Sequence, residues 1–284
     1  MLILKNIGKI YNEQSIFKNA NLTASPNECI ALVGNNGAGK TTLMKIIAGF
    51  VPEFSGTISR EACRISGIIE NPAFFQNLTV KQNLNMLNIA HKGTTIPNDL
   101  LDKTLQKLSL TKYVNVKFKK LSLGTKQKVN IANSLLSDSN FILLDEPFNG
   151  LDVHTKEEVK KIIADLITSD ICVVISSHLL EELNALANKV WYIHDETIQE
   201  LQKDTNHYNY QIDFTNTPDT TKLQKQLAGI SNTWILNDTQ LRIRLKKSTD
   251  IPTIIDRISR FHILQAQSIT DNNLDKIERE LANG

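Results

Sequence analysis

Apolar positions in the first two thirds of the chain follow two rhythms. Unbroken runs, Cys29-Ile30-Ala31-Leu32-Val33, Phe141-Ile142-Leu143-Leu144 and Ile171-Cys172-Val173-Val174-Ile175, have the length and continuity of strands covered on both faces. They predict strands near 28–33, 140–145 and 171–176. Between them, apolar residues recur at helical spacing near 42–48, 124–137 and 154–168. Strands alternating with helices predict an α/β domain with parallel pairing. Pro52 to Gly56 marks a turn before Thr57-Ile58-Ser59, and Pro97 separates two helical segments; neither reads as a domain boundary.

After the polar stretch 202–207 the rhythm changes. Tyr208, Tyr210, Ile212 and Phe214 alternate with polar residues, as in a half-buried strand. The order that follows is strand 208–214, helix 219–228, strands 233–236 and 240–245, helix 251–259, strand 263–269 and a last helix 272–281. That is a split βαβ, ferredoxin-like α+β unit with one extra helix. Two domains are expected, 1–205 and 206–284. Arg242, Arg244 and Lys246 alternate with Leu241, Ile243 and Leu245. They read as the solvated side of a strand, with a basic face for an acidic partner as the alternative.

Composition narrows the partners. Lys and Arg number 32 against 30 Asp and Glu in 284 residues, a net charge of +2, which disfavours nucleic acid as a ligand. The longest apolar runs fall far short of the roughly 20 residues that span a bilayer, so no membrane helix is predicted. Met1 is followed by Leu2-Ile3-Leu4-Lys5-Asn6, without the features of a secretory signal, and a cytosolic chain is expected unless a partner tethers it. Cys29, Cys63 and Cys172 are odd in number and widely spaced. They suggest buried or incidental thiols and neither a disulfide framework nor a metal cage.

The chemistry starts at Gly34-Asn35-Asn36-Gly37-Ala38-Gly39-Lys40-Thr41, which fits G-x-x-x-x-G-K-[ST] between an apolar strand and a helical segment opening at Thr42. Its glycines let successive backbone N–H groups face one polyphosphate. The helix start adds partial positive charge, and Lys40 adds a full one. A nucleoside triphosphate is the expected ligand, held by residues 34–42. The apolar strand at 141–144 ends in two carboxylates, Asp145 and Glu146, before Pro147. Beside a phosphate loop, the strand-end Asp helps hold Mg²⁺ with the hydroxyl of Thr41, and the Glu is placed to orient or deprotonate a water. Leu121-Ser122-Leu123-Gly124-Thr125 precedes another helix, where Ser122 is at least a favoured N-cap and, with Gly124, a second anion site.

With that loop the chain resembles the ATP-binding subunits of ABC transporters, whose signature loop has the form LSGGQ. The likeness spans residues 1–200 in the family's order and spacing: the phosphate loop, Leu121 to Thr125, Leu144-Asp145-Glu146-Pro147, Asn149-Gly150-Leu151-Asp152 and Ser176-Ser177-His178. It implies a P-loop ABC ATPase fold, with a parallel core sheet, an antiparallel β subdomain and a helical subdomain. It also implies Mg²⁺ and ATP as cofactor and substrate, and two copies paired head to tail, each ATP lying between the phosphate loop of one and Ser122 of the other. ATP binding would close the pair and hydrolysis would open it.

The resemblance also assigns roles. Glu146 would be the general base and His178 would contact the γ-phosphate, with Lys40, Ser122 and Gly124 completing the reaction centre. Asp152 would reach the partner copy's site, or simply cap a helix. Tyr11, 29 residues before Lys40, resembles the aromatic on which adenine stacks, the alternative being a core tyrosine. Glu70 stands where the family usually carries Gln as a metal ligand. As an acceptor-only group it can still ligate Mg²⁺ while adding negative charge. Leu123-Gly124-Thr125 replaces Gly-Gly-Gln, at little cost if Leu123 is helical.

Functionally, the resemblance points to the energising subunit of an exporter, at the cytoplasmic face of the membrane through a separate transmembrane permease. Glu70-Asn71-Pro72, the Leu123-Gly124 signature and the C-terminal unit resemble the branch that expels hydrophobic antimicrobial peptides, including lantibiotic self-protection systems. The permease contact is expected around Phe74–Leu87, where Phe74 and Phe75 read as exposed aromatics, with a buried cluster as the alternative. A soluble ABC ATPase acting on ribosomes or DNA is the competing class. It is disfavoured by the single cassette, by the 82 residues between Lys40 and Ser122, and by the lack of sustained heptads.

Overall fold

The computed structural model describes residues 1–70, 74–178, 182, 183, 185–202, 208–227, 233–237, 239–245 and 251–269. They fall into two compact units, one within 1–202 and the other within 203–279. The proposed boundary at 205, Lys246 and the helix expected at 272–281 lie outside the described residues.

The first unit holds two sheets. Strands β1 (Leu2–Tyr11), β2 (Gln14–Ala24) and β4 (Ser55–Ser59) form an antiparallel sheet in the order β2-β1-β4. The second sheet contains β3 (Cys29–Gly34), β5 (Ile65–Ile68), β6 (Phe141–Leu144), β7 (Cys172–Ser177), β8 (Lys189–His194) and β9 (Thr197–Gln202), in the order β5-β6-β7-β3-β8-β9. Every pair is parallel except β8 with β9. Strands β3, β6 and β7 are buried along their whole length, which explains why they read as unbroken apolar runs. Leu4, Ile7 and Phe17 of the small sheet join Ile30, Leu32, Leu143, Val174 and Trp191 of the large one in a single core. Burying each such side chain contributes about 1.5–3 kcal/mol.

Among the described residues of this unit the α-helices are α1 (Lys40–Ala48), α2 (Val80–Lys92), α3 (Asn98–Lys107), α4 (Leu123–Leu136) and α5 (Val153–Ile167). Their starts are chemically marked. Thr79 and Gln82 form a reciprocal capping box on α2, Ser122 caps α4 and Asp152 caps α5. The expected helices at 124–137 and 154–168 are therefore met within one residue at each end.

The second unit runs β10 (Tyr208–Phe214), α6 (Thr220–Gln226), β11 (Thr233–Asn237), β12 (Gln240–Leu245), α7 (Ile251–Ile258) and β13 (Ile263–Ile269). Its antiparallel sheet has the order β11-β12-β10-β13, the split βαβ arrangement of the ferredoxin-like class. Ile212, Phe214, Leu241, Ile243 and Leu245 pack with Leu223, Ile254 and Ile258 in a separate core.

Candidate nucleotide site

The central strand β3 delivers the phosphate loop. Gly37 and Gly39 have φ of 81° and 104°, the left-handed region that glycine enters without penalty. Gly39 is doubly constrained, since a Cβ there would lie 2.5 Å from Ile16 Cγ2 on β2. Lys40, only 7% exposed, donates from Nζ to the carbonyls of Gly34 at 2.7 Å and Asn35 at 3.2 Å. Burial holds its pKa below the ordinary value of 10.5, while Glu146 and Asp145 pull it back up.

Because β6 lies two places from β3 with β7 between them, Asp145 and Glu146 emerge beside this loop. The Thr41 hydroxyl donates to Asp145 Oδ2 at 2.9 Å and the Ser176 hydroxyl to Asp145 Oδ1 at 2.6 Å. The same Ser176 oxygen accepts the backbone N–H of Glu146 at 2.7 Å. Glu146 has φ of 46°, a conformation costing a non-glycine residue about 1–3 kcal/mol, and the surrounding bonds hold it there. Its carboxylate lies 3.7 Å from the Lys40 ammonium and 3.2 Å from His178 Nδ1. A hollow of about 260 Å³ opens here, lined by Asn36, Gly37, Gly39, Lys40, Thr41, Thr42, Asp145 and Glu146.

These donors fit a hard cation. Thr41 and Asp145 offer oxygen donors only. That suits Mg²⁺, which keeps most of its waters and takes phosphate oxygens for the rest of its shell. Glu70 is engaged elsewhere. At φ 62° its carboxylate meets Lys45 at 2.6 Å, one helical turn beyond Thr41.

Ser122 lies in a second hollow of about 260 Å³, with Ser109, Lys112, Tyr113, Gly124, Thr125, Lys128, Thr155 and Glu158, and none of the described residues lines both hollows. The Ser122 oxygen accepts from Thr125 N at 3.3 Å and lies 2.8 Å from Thr125 Oγ1. A Cβ on Gly124 would fall 2.1 Å from Thr155 Cγ2, so a larger residue there would push Thr155 aside between α4 and α5. Asp152 accepts from Thr155 N at 3.0 Å and Thr155 Oγ1 at 2.8 Å, which lowers its pKa. Tyr11 closes β1 with 42% of its surface exposed, so the core alternative does not hold.

The expectation of two exposed aromatics at 74 and 75 is corrected. Phe74 is buried and stacks on Phe118 with centroids 4.7 Å apart, leaving Phe75 exposed. Buried Asn83 fixes the loop between them and α2, accepting from Phe75 N at 2.7 Å and donating to the carbonyls of Phe75, Leu78 and Thr79. Sequence reasoning assigned no role to Asn83, Lys45 or Ser176. For Ser176 the signal was available: a hydroxyl near the end of a strand predicted to run parallel to the one carrying Asp145.

A phosphate loop at the end of the central parallel strand, with an Asp-Glu pair delivered from a nearby one, defines a P-loop ATPase. Residues 17–149 match the ABC transporter family. The chain is 34% identical over 210 residues to the lantibiotic transport ATP-binding protein SrtF of Streptococcus pyogenes, covering 70% of this chain and 89% of that one. It is 32% identical to the bacitracin transport ATP-binding protein BcrA of Bacillus licheniformis, covering 69% and 67%. The fold matches that of a nucleotide-free ATP-binding cassette from an ABC transporter, with TM-score 0.64 and 21% identity over 71% of this chain and 91% of that one. The chain therefore belongs to the ATP-binding proteins of ABC transporters. It is a nucleotide-binding ATPase subunit that works with a membrane permease, and among its described residues no helix is long and apolar enough to cross a bilayer itself.

Proposed function

We propose that this subunit powers export of a hydrophobic antimicrobial peptide, of the lantibiotic or bacteriocin immunity type, through ATP-driven closure of two copies against each other. The observation that carries the closure is the division of the site. The Lys40 hollow and the Ser122 hollow share no lining residue among those described, so one chain supplies two halves that a second copy can complete. The SrtF and BcrA likenesses support the cargo class.

In this reading the loop from Gly34 to Thr42 and Lys40 hold the β- and γ-phosphates, and the exposed Tyr11 ring receives the adenine. Thr41 and Asp145 would hold Mg²⁺, with Glu70 joining once it leaves Lys45; the ion, when bound, neutralises phosphate charge. Glu146 takes the proton of the attacking water. Ser176 fixes its main chain, and His178 holds its carboxylate and the γ-phosphate geometry. Ser122 and Asp152 act on the nucleotide of the partner copy. The permease docks around Phe74–Leu87, where Phe75 and Met86 are exposed and Phe74 anchors the loop from beneath. The subunit then sits on the cytoplasmic face of the membrane.

Light scattering of a Glu146→Gln variant with saturating Mg·ATP tests closure, and the expected result is a dimer that dissociates when nucleotide is removed. A strict monomer, even beside its permease, would overturn it. Stimulation of the reconstituted complex's ATPase by a lantibiotic-class peptide is expected for the cargo, and no response to any such peptide would reject that class.

A further inference from the structure

Lys9 lies near the end of β1, two residues before Tyr11, and is 6% exposed. Its ammonium donates to the backbone carbonyl of Glu53 at 2.5 Å, in the segment between α1 and β4. It also lies over the Tyr11 ring, 4.4 Å from the centroid. One face of the tyrosine is thereby covered by a cation that is itself anchored, while 42% of the residue stays accessible. A ring on a hairpin end, beside the Asn12-Glu13 turn, would otherwise turn among its rotamers.

We infer that Lys9 is a positioning residue for the base of the nucleotide: it pins the Tyr11 ring by a cation–π contact, leaving the opposite face as the stacking platform. The inference rests on the reading of Tyr11 as the adenine contact. Two physical effects act together. The ammonium draws on the ring's negative face, an attraction that strengthens with desolvation, and Lys9 is desolvated here. A ring already held also spares the base the ordering that stacking on a free side chain demands. The Glu53 anchor ties the platform to the segment that follows α1, the helix bearing Lys40 and Thr41, so base and phosphate contacts share one support.

A double-variant cycle in the full chain tests this, with affinity for ATP and for inorganic tripolyphosphate measured on each protein by calorimetry. Tyr11→Ala is expected to weaken ATP binding by about tenfold or more, in keeping with the size of base–aromatic stacking, without changing tripolyphosphate binding. Lys9→Met is expected to weaken ATP binding about three- to tenfold, again sparing tripolyphosphate, with Lys9→Arg restoring most of it. The double variant should match Tyr11→Ala alone, because Lys9 acts through the ring. If Tyr11→Ala weakens ATP binding and Lys9→Met does not, the inference on Lys9 is wrong while the tyrosine platform stands. If neither variant matters, the platform itself is wrong. Equal losses for ATP and tripolyphosphate in Lys9→Met, or a further loss in the double variant, would assign Lys9 to the fold and overturn the inference.

Discussion

The Ser176 hydroxyl donates to Asp145 Oδ1 at 2.6 Å, the oxygen of that carboxylate that Thr41 leaves free. Through the same oxygen it receives the Glu146 N–H, so one side chain on β7 orders both acids that follow β6. Replacing Ser176 by Ala leaves a main-chain donor without its partner and one carboxylate oxygen unheld. We expect kcat to fall about tenfold, an increase of about 1.4 kcal/mol in the barrier, with the Michaelis constant for ATP changed less than about threefold. Denaturant unfolding should show a loss of about 1–3 kcal/mol. Unchanged turnover would remove Ser176 from the site.

Glu70 and Lys45 are partly exposed, and such a pair contributes only about 0–1 kcal/mol to stability. Its effect is expected on the nucleotide. Lys45→Met should free the Glu70 charge and, in the absence of Mg²⁺, weaken ATP binding about threefold to tenfold at low ionic strength, the loss fading in high salt. Adding Glu70→Gln should restore the affinity, and Glu70→Gln alone should shift the Mg²⁺ concentration for half-maximal ATPase. Titration of the four proteins at two salt concentrations settles the point, and a salt-independent loss would contradict it.

Gly124→Ala places a methyl group 2.1 Å from Thr155 Cγ2. Overpacking of this kind costs about 1–3 kcal/mol, expected as a lower denaturation midpoint. Thr155→Ser removes the offending methyl group yet keeps the hydroxyl that donates to Asp152. The double variant should therefore recover most of the stability, whereas independent, additive losses would show that the clash is relieved some other way.

The pH dependence of ATP binding follows from Lys40. Burial lowers its pKa when the phosphates are absent, and a bound triphosphate supplies the opposite charge that raises it. The bound state then holds the proton more tightly than the free state, so affinity is full below the free-state pKa and is lost as pH rises through it. The decline should begin below the ordinary lysine value of 10.5. A flat profile up to that value would mean that the ammonium is not the group in contact.

Legibility in the sequence followed locality. The phosphate loop is contiguous, the buried parallel strands are unbroken apolar runs, and Ser122 and Asp152 mark their helices within four residues of chain. Strand β1 was harder, because its register with β2 shifts at three points between Leu4 and Ile10 and breaks the alternation of buried and exposed residues. Strand β8 begins with Lys189, a buried charge that Glu28, the Thr23 carbonyl and the nearby Glu200 carboxylate receive. Phe74 depends on Phe118, 44 positions on, and Glu70 on a lysine of α1. Partners brought together by the fold leave no periodic trace in the chain.

The segments 122–125 and 149–155 interlock in both directions. Gly124 makes room for Thr155, and Gly150, at φ 72°, has Leu123 Cδ2 3.0 Å from where its Cβ would stand. Each glycine is the socket for a side chain of the other segment. The two segments thus behave as a single stiff surface rather than two independent loops, the surface that a second copy would meet in the proposed closure, and a disturbance on one side of that lock is felt on the other without crossing the phosphate loop.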